Sequence, residues 1–132
     1  ESLLTKNKKG GTNVSLFCEK QDMKDLTFRQ LQDDLLEHYQ QSRTEEGLFI
    51  KLVEEVGEVA EVLNGRSGRK DGVQDSNEEL AKELADIIHY TVAIAAINDI
   101  DLTKTIFEKD KTAAIKYRHE RDLAGFLKGR ES

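Results

Sequence analysis

Proline and tryptophan are absent from the 132 residues, cysteine and methionine occur once each, and aromatic residues make up only 6% of the chain. A lone cysteine, Cys18, cannot close an intramolecular disulfide. That excludes a small disulfide scaffold and a cysteine-rich zinc module, and it points to a reducing, cytoplasmic setting. No apolar run approaches the ~18 residues of a spanning helix, and the start lacks the charged-then-apolar order of a secretory signal. Membrane is not an expected partner. Positive charge is also short, since 20 Lys and Arg against 26 Asp and Glu leave a net charge of −6. Nucleic acid, whose phosphates reward clustered cations, is therefore not expected as a partner either. Negative charge suits hard cations.

What the chain does have is apolar residues at three- and four-residue spacing between Gly- and Asn-containing breaks, with little strand-like alternation. Leu, Ile, Val and Phe supply 35 of the residues, enough for one hydrophobic core. The pattern predicts an all-α fold, four to five helices in a bundle. Residues 1–22 carry no sustained period and precede the sole methionine, Met23, so they are expected to be an N-terminal extension, flexible or foreign to the native chain. Residues 23–122 form the expected helical domain, and 123–132 a short charged tail. A capping box of Thr27 with Gln30 opens a first helix that ends near Ser42. Ser42 with Glu45 launches a second, from about 43 to Leu63, stopped by Asn64-Gly65. Ser76 with Glu79 announces a third that runs to about Ile97, and a fourth spans roughly 101–121. Gly65 to Gly72 forms a Gly-rich connection between the second and third.

Two of these helices carry acids in matching places. At roughly 100° per residue, Glu55 and Glu58 lie together at the flank of the second helix's apolar stripe, and Glu83 and Asp86 do the same on the third. Height gives an independent check. Glu58 and Glu55 precede Asn64 by the same steps by which Glu83 and Asp86 follow Asn77, so an antiparallel pair sets the four carboxylates at one level. Charges brought so close repel, and oxygen-ligated divalent cations offset that repulsion best. Acidic pairs three residues apart are common on solvated helices, but two pairs matched in phase and height are harder to obtain that way.

The run Glu54-Glu55-x-x-Glu58 followed by Glu83-x-x-Asp86 resembles the signature of the MazG-like all-α nucleoside triphosphate pyrophosphohydrolases. Leu84-Ala85-Asp86-Ile87-Ile88-His89-Tyr90 and Ile100-Asp101-Leu102 also look like that family's third helix and the turn after it. The resemblance covers roughly Leu26 to Arg118. It implies Mg²⁺, with Mn²⁺ as the alternative, held by Glu55, Glu58, Glu83 and Asp86. It further implies catalytic roles for Glu54, Glu55 and Glu58, with Glu54 orienting or deprotonating water. The implied reaction cleaves a nucleoside triphosphate between the α- and β-phosphates to a nucleoside monophosphate and pyrophosphate. The implied assembly is a homodimer or a dimer of dimers, that is, a homotetramer. Lys51, Lys109, Lys111 and Arg118 are candidates to hold the substrate's phosphates. Family members commonly place Asn beside such cations, whereas this fourth helix has Asp110 and no Asn.

Two alternatives stand beside that expectation: a phosphoribosyl-ATP pyrophosphohydrolase, and a non-catalytic helical dimer that binds nucleotide or metal. His38, His89 and His119 form no zinc motif, and His89 falls away from the acids, as a structural residue would. The stretch from Tyr90 to Ile97 is apolar nearly all round and is expected to form a subunit interface.

Overall fold

The computed structural model describes residues 25–41, 44–67 and 77–131. Within them lie five helices and no strand: α1 (Phe28–Tyr39), α2 (Glu45–Arg66), α3 (Asn77–Ile97), α4 (Leu102–Lys116) and α5 (Leu123–Arg130). The expected extension, Met23, Ser42, Ser76 and most of the Gly-rich connection lie outside the described residues.

Side chains that satisfy the orphan N–H groups of the first turn set the helix starts. Thr27 and Gln30 form the reciprocal capping box of α1, with Gln30 N to Thr27 Oγ1 at 3.1 Å and Thr27 N to Gln30 Oε1 at 2.8 Å. Thr44, not Ser42, caps α2 by accepting from Gly47 N. α2 then runs past Asn64-Gly65 to Arg66, since Gly costs a helix only modestly near its end. α4 stops at Lys116, five residues before the expected end, because Arg118 turns left-handed at φ 57° and His119 N bonds back to Ala114 O. Asp99, at φ 55°, closes α3 the same way. In the stretch expected as a tail, Asp122 accepts from Gly125 N and starts α5, which Asp110 anchors by accepting from Leu123 N.

α2 packs along α3, α1 packs on α3, and α4 packs against α1 and α5. Arg66 near the end of α2 hydrogen-bonds Asn77 at the start of α3, as an antiparallel pair requires. Leu35, Tyr39, Leu48, Val92 and Ala93 are buried at the centre, ringed by Leu31, Tyr90, Ile94, Ile97 and Leu102. Alanines at 93, 95 and 96 let neighbouring backbones approach. The Tyr39 hydroxyl and His89 Nε2, 2.7 Å apart, give His89 a structural partner across α1 and α3. Gln32 ties α1 to the α3–α4 turn, donating to Ile100 O and accepting from Leu102 N, and Arg29 pairs with Asp101 at 2.8 Å beside it.

Burial corrects two expectations. The segment Tyr90–Ile97 is covered mainly within its own chain, with Val92, Ala93, Ala95 and Ala96 buried. On α2, the single expected stripe resolves into two. Leu48, Leu52, Glu55, Val59 and Val62, spaced four and three, are buried or half-buried. Phe49, Val53, Val56, Ala60 and Leu63, in the same rhythm one position on, are exposed.

Candidate metal centre

Glu55 therefore stands in the middle of the seam by which α2 meets its neighbours, not at its flank. Glu83 has the same placement on α3, within the half-buried series Leu80, Glu83, Ile87, Tyr90 and Ile94. A seam position points a side chain at the facing helix, and Glu55 and Glu83 meet there across the pair. Asp86, one turn beyond Glu83, is exposed and closes the group. One carboxylate oxygen from each of Glu55, Glu83 and Asp86 lies within 4.8 Å of the other two. Glu58 is exposed and stands outside this tight triad, yet near enough for its charge to act on Glu83.

The electrostatics follow from that crowding. The Glu83 carboxyl is held above the ordinary carboxylate range, first by its hydrogen bond with Glu55, which two carboxyl groups make by sharing a proton. Partial burial adds to the effect, as do the negative charges of Glu55, Glu58 and Asp86. An all-oxygen donor set, half-buried at Glu55 and Glu83 and crowded with like charge, fits a hard divalent cation. The residues present thus suit Mg²⁺ or Mn²⁺ chemically.

Lys51 lies one turn before Glu55, and its Nζ donates to Glu54 Oε1 at 3.0 Å. That hydrogen bond and the Glu54 charge raise the Lys51 pKa, with weaker support from the Tyr90 hydroxyl and Glu55. Tyr90 belongs to the family-like run of the third helix without an assigned role, and the height rule that pairs Glu55 with Asp86 also pairs Lys51 with Tyr90. Lys109 and Lys111 sit on α4 and Arg118 just past its end; α4 packs on α1 and α5 and not along the acidic pair. They divide between two grooves: Lys109 and Lys116 line one, Lys111 and Arg118 the other. The fold does not gather them at the triad.

A sequence model of the MazG nucleotide pyrophosphohydrolase domain matches residues 43–120, which contain every acid of the cluster. The chain belongs to this family. It is 32% identical over 83 residues to dCTP pyrophosphatase 1 of Rattus norvegicus and, to the same extent, to that of Mus musculus. Each alignment covers 60% of this chain and 49% of the relative, so the chain spans about half the length of these curated proteins. The crystal structure of iMazG from Vibrio DAT 722 aligns with 73% of this chain and 100% of its own, at 31% identity and a TM-score of 0.50.

Proposed function

We propose that this protein hydrolyses a nucleoside triphosphate between its α- and β-phosphates, releasing a nucleoside monophosphate and pyrophosphate. The supporting observation is the convergence of Glu55, Glu83 and Asp86 from two helices onto one point. Glu55, Glu58, Glu83 and Asp86 would hold Mg²⁺, or Mn²⁺ in its place. Such an ion, when bound, supplies neutralisation of phosphate charge and acidification of water.

The chain's own residues do the remainder. Glu54 is exposed and adjoins Glu55, so its carboxylate can orient the attacking water and take its proton. Lys51 holds that carboxylate through its ammonium. An arriving phosphate competes for the ammonium, which can then donate to a phosphate oxygen and leave Glu54 free to act as a base. Lys109, Lys111 and Arg118 would meet substrate phosphates only from a neighbouring copy. The exposed stripe on α2, with its coiled-coil rhythm, suits a homodimer or homotetramer. Cytoplasmic residence accords with the lone cysteine.

The deciding experiment is a panel of canonical, deoxy and modified triphosphates, led by dCTP because of the relatives' name, assayed with and without Mg²⁺. Pyrophosphate and the matching monophosphate are the expected products. Orthophosphate release, or turnover undiminished by chelation, would overturn the proposal.

A further inference from the structure

The molecule is electrically lopsided. α2 and α3 together carry ten Asp and Glu against three Lys and Arg, whereas residues 111–130 carry six Lys and Arg against two Asp and Glu. At that basic end, where α4 gives way to α5, lies a cleft of about 330 Å³. Lys111, Arg118, His119 and Arg121 line it together with the buried Ala114 and the exposed Ile115.

Five observations mark this as more than a solvated basic face. Lys111, Arg118 and Arg121 have no carboxylate partner among the described residues. The one acid in the lining, Asp122, turns its carboxylate to Gly125 N at 2.8 Å as the cap of α5. Complementation of the α4 dipole accounts for cations in its last turn, but Lys111 lies earlier and Arg121 beyond the helix. Arg118, moreover, lines the cleft from a left-handed conformation where glycine is the usual occupant. Arg121 stacks on Phe126, 4.6 Å from the ring centroid, which restricts its side chain before any ligand arrives.

We propose that this cleft is a binding site for a phosphate-bearing anion of diphosphate size, with Arg121 and His119 as ligand contacts beside Lys111 and Arg118. The chemistry is shared by two sources: free pyrophosphate, or the phosphate tail of a nucleotide held at the acids of another copy.

The test is calorimetric titration of inorganic pyrophosphate into the full chain with divalent ions chelated, so that the acidic triad repels the probe. One site per chain is expected, its affinity falling with salt. Arg121→Gln and Lys111→Gln should each weaken it about tenfold, the scale of one charge-assisted contact. Arg121→Lys should retain part of it, and Glu55→Gln should leave it intact. Both substituted cations are exposed, so unchanged helicity and melting will show that the fold survives. No binding, or binding indifferent to Lys111 and Arg121, overturns the proposal. Nucleotide kinetics then separate the sources: a raised KM in Arg121→Gln assigns the cleft to the substrate's tail, whereas an unchanged KM with lost pyrophosphate inhibition assigns it to the free anion. Because the titration needs no turnover, its failure and that of the hydrolase proposal are separable.

Discussion

Glu83 binds a proton more tightly in the folded chain than in the unfolded one, since Glu55, Glu58 and Asp86 all bear on it. A carboxyl raised on folding stabilises the fold below its unfolded pKa, and that contribution is lost as pH rises through the folded value. As that proton leaves, the repulsion among these acids is felt in the metal-free protein. Glu83→Gln should raise the metal-free melting temperature at pH 7, with the gap to wild type closing toward the ordinary carboxylate pKa of 4.5. Equal melting at pH 7 would mean that the crowding has no energetic effect. Mg²⁺ should act in the same sense on wild type, because binding at a hundred times Kd stabilises by about 2.7 kcal/mol, or roughly 10 °C for a domain of this size. Asp86→Asn should lose most of that gain and lower turnover by roughly a hundredfold, the scale of removing one electrostatic stabiliser. A variant that keeps both would take Asp86 out of the ion's reach.

Helix existence was legible in the sequence because apolar spacing dominates this proline-free chain, and the acids were legible because two matched pairs are rarer than one. The boundaries and the contact face were less so. Thr44 and Ser42 both precede acidic first turns, and nothing in the local sequence ranks one cap above the other. The structure uses Thr44, so Thr44→Ala should cost about 1 kcal/mol and lower the melting temperature by roughly 4 °C. An unaffected melt would show that another group takes over the Gly47 N–H. The face of α2 was blurred for a different reason. Two stripes of equal rhythm lie side by side on it, and averaging their phases pushes Glu55 to the edge of a seam that it occupies. Leu48, fully buried in the inner stripe, should cost about 2–5 kcal/mol as Leu48→Ala, read by chemical denaturation. Val56, in the outer stripe and 51% exposed, should cost far less as Val56→Ala in a monomer.

For the whole molecule, a second apolar stripe is hard to understand in a chain that stands alone. Phe49, Val53 and Val56 are each more than half exposed, and Leu63, Leu84 and Ile88 nearly so. Isolated exposed apolar residues are ordinary, but a four-three-four-three series is the geometry by which one helix seats another. Sequence reasoning placed the interface on Tyr90–Ile97 because that run is apolar all round. Its own α1 and α2 account for that, and the uncovered surface lies at the acidic level of α2, beside the triad. If a second copy covers it, each metal centre is walled by its partner and the α4 cations of one copy come within reach of the acids of another. Val53→Glu places a charge in the middle of that stripe and far from the inner core. Wild type should sediment as a dimer or larger, and Val53→Glu as a single chain with its helicity kept and its turnover reduced. A wild type that sediments as one chain at assay concentrations would leave the stripe without a second copy to cover it, and α4 without a route to the substrate.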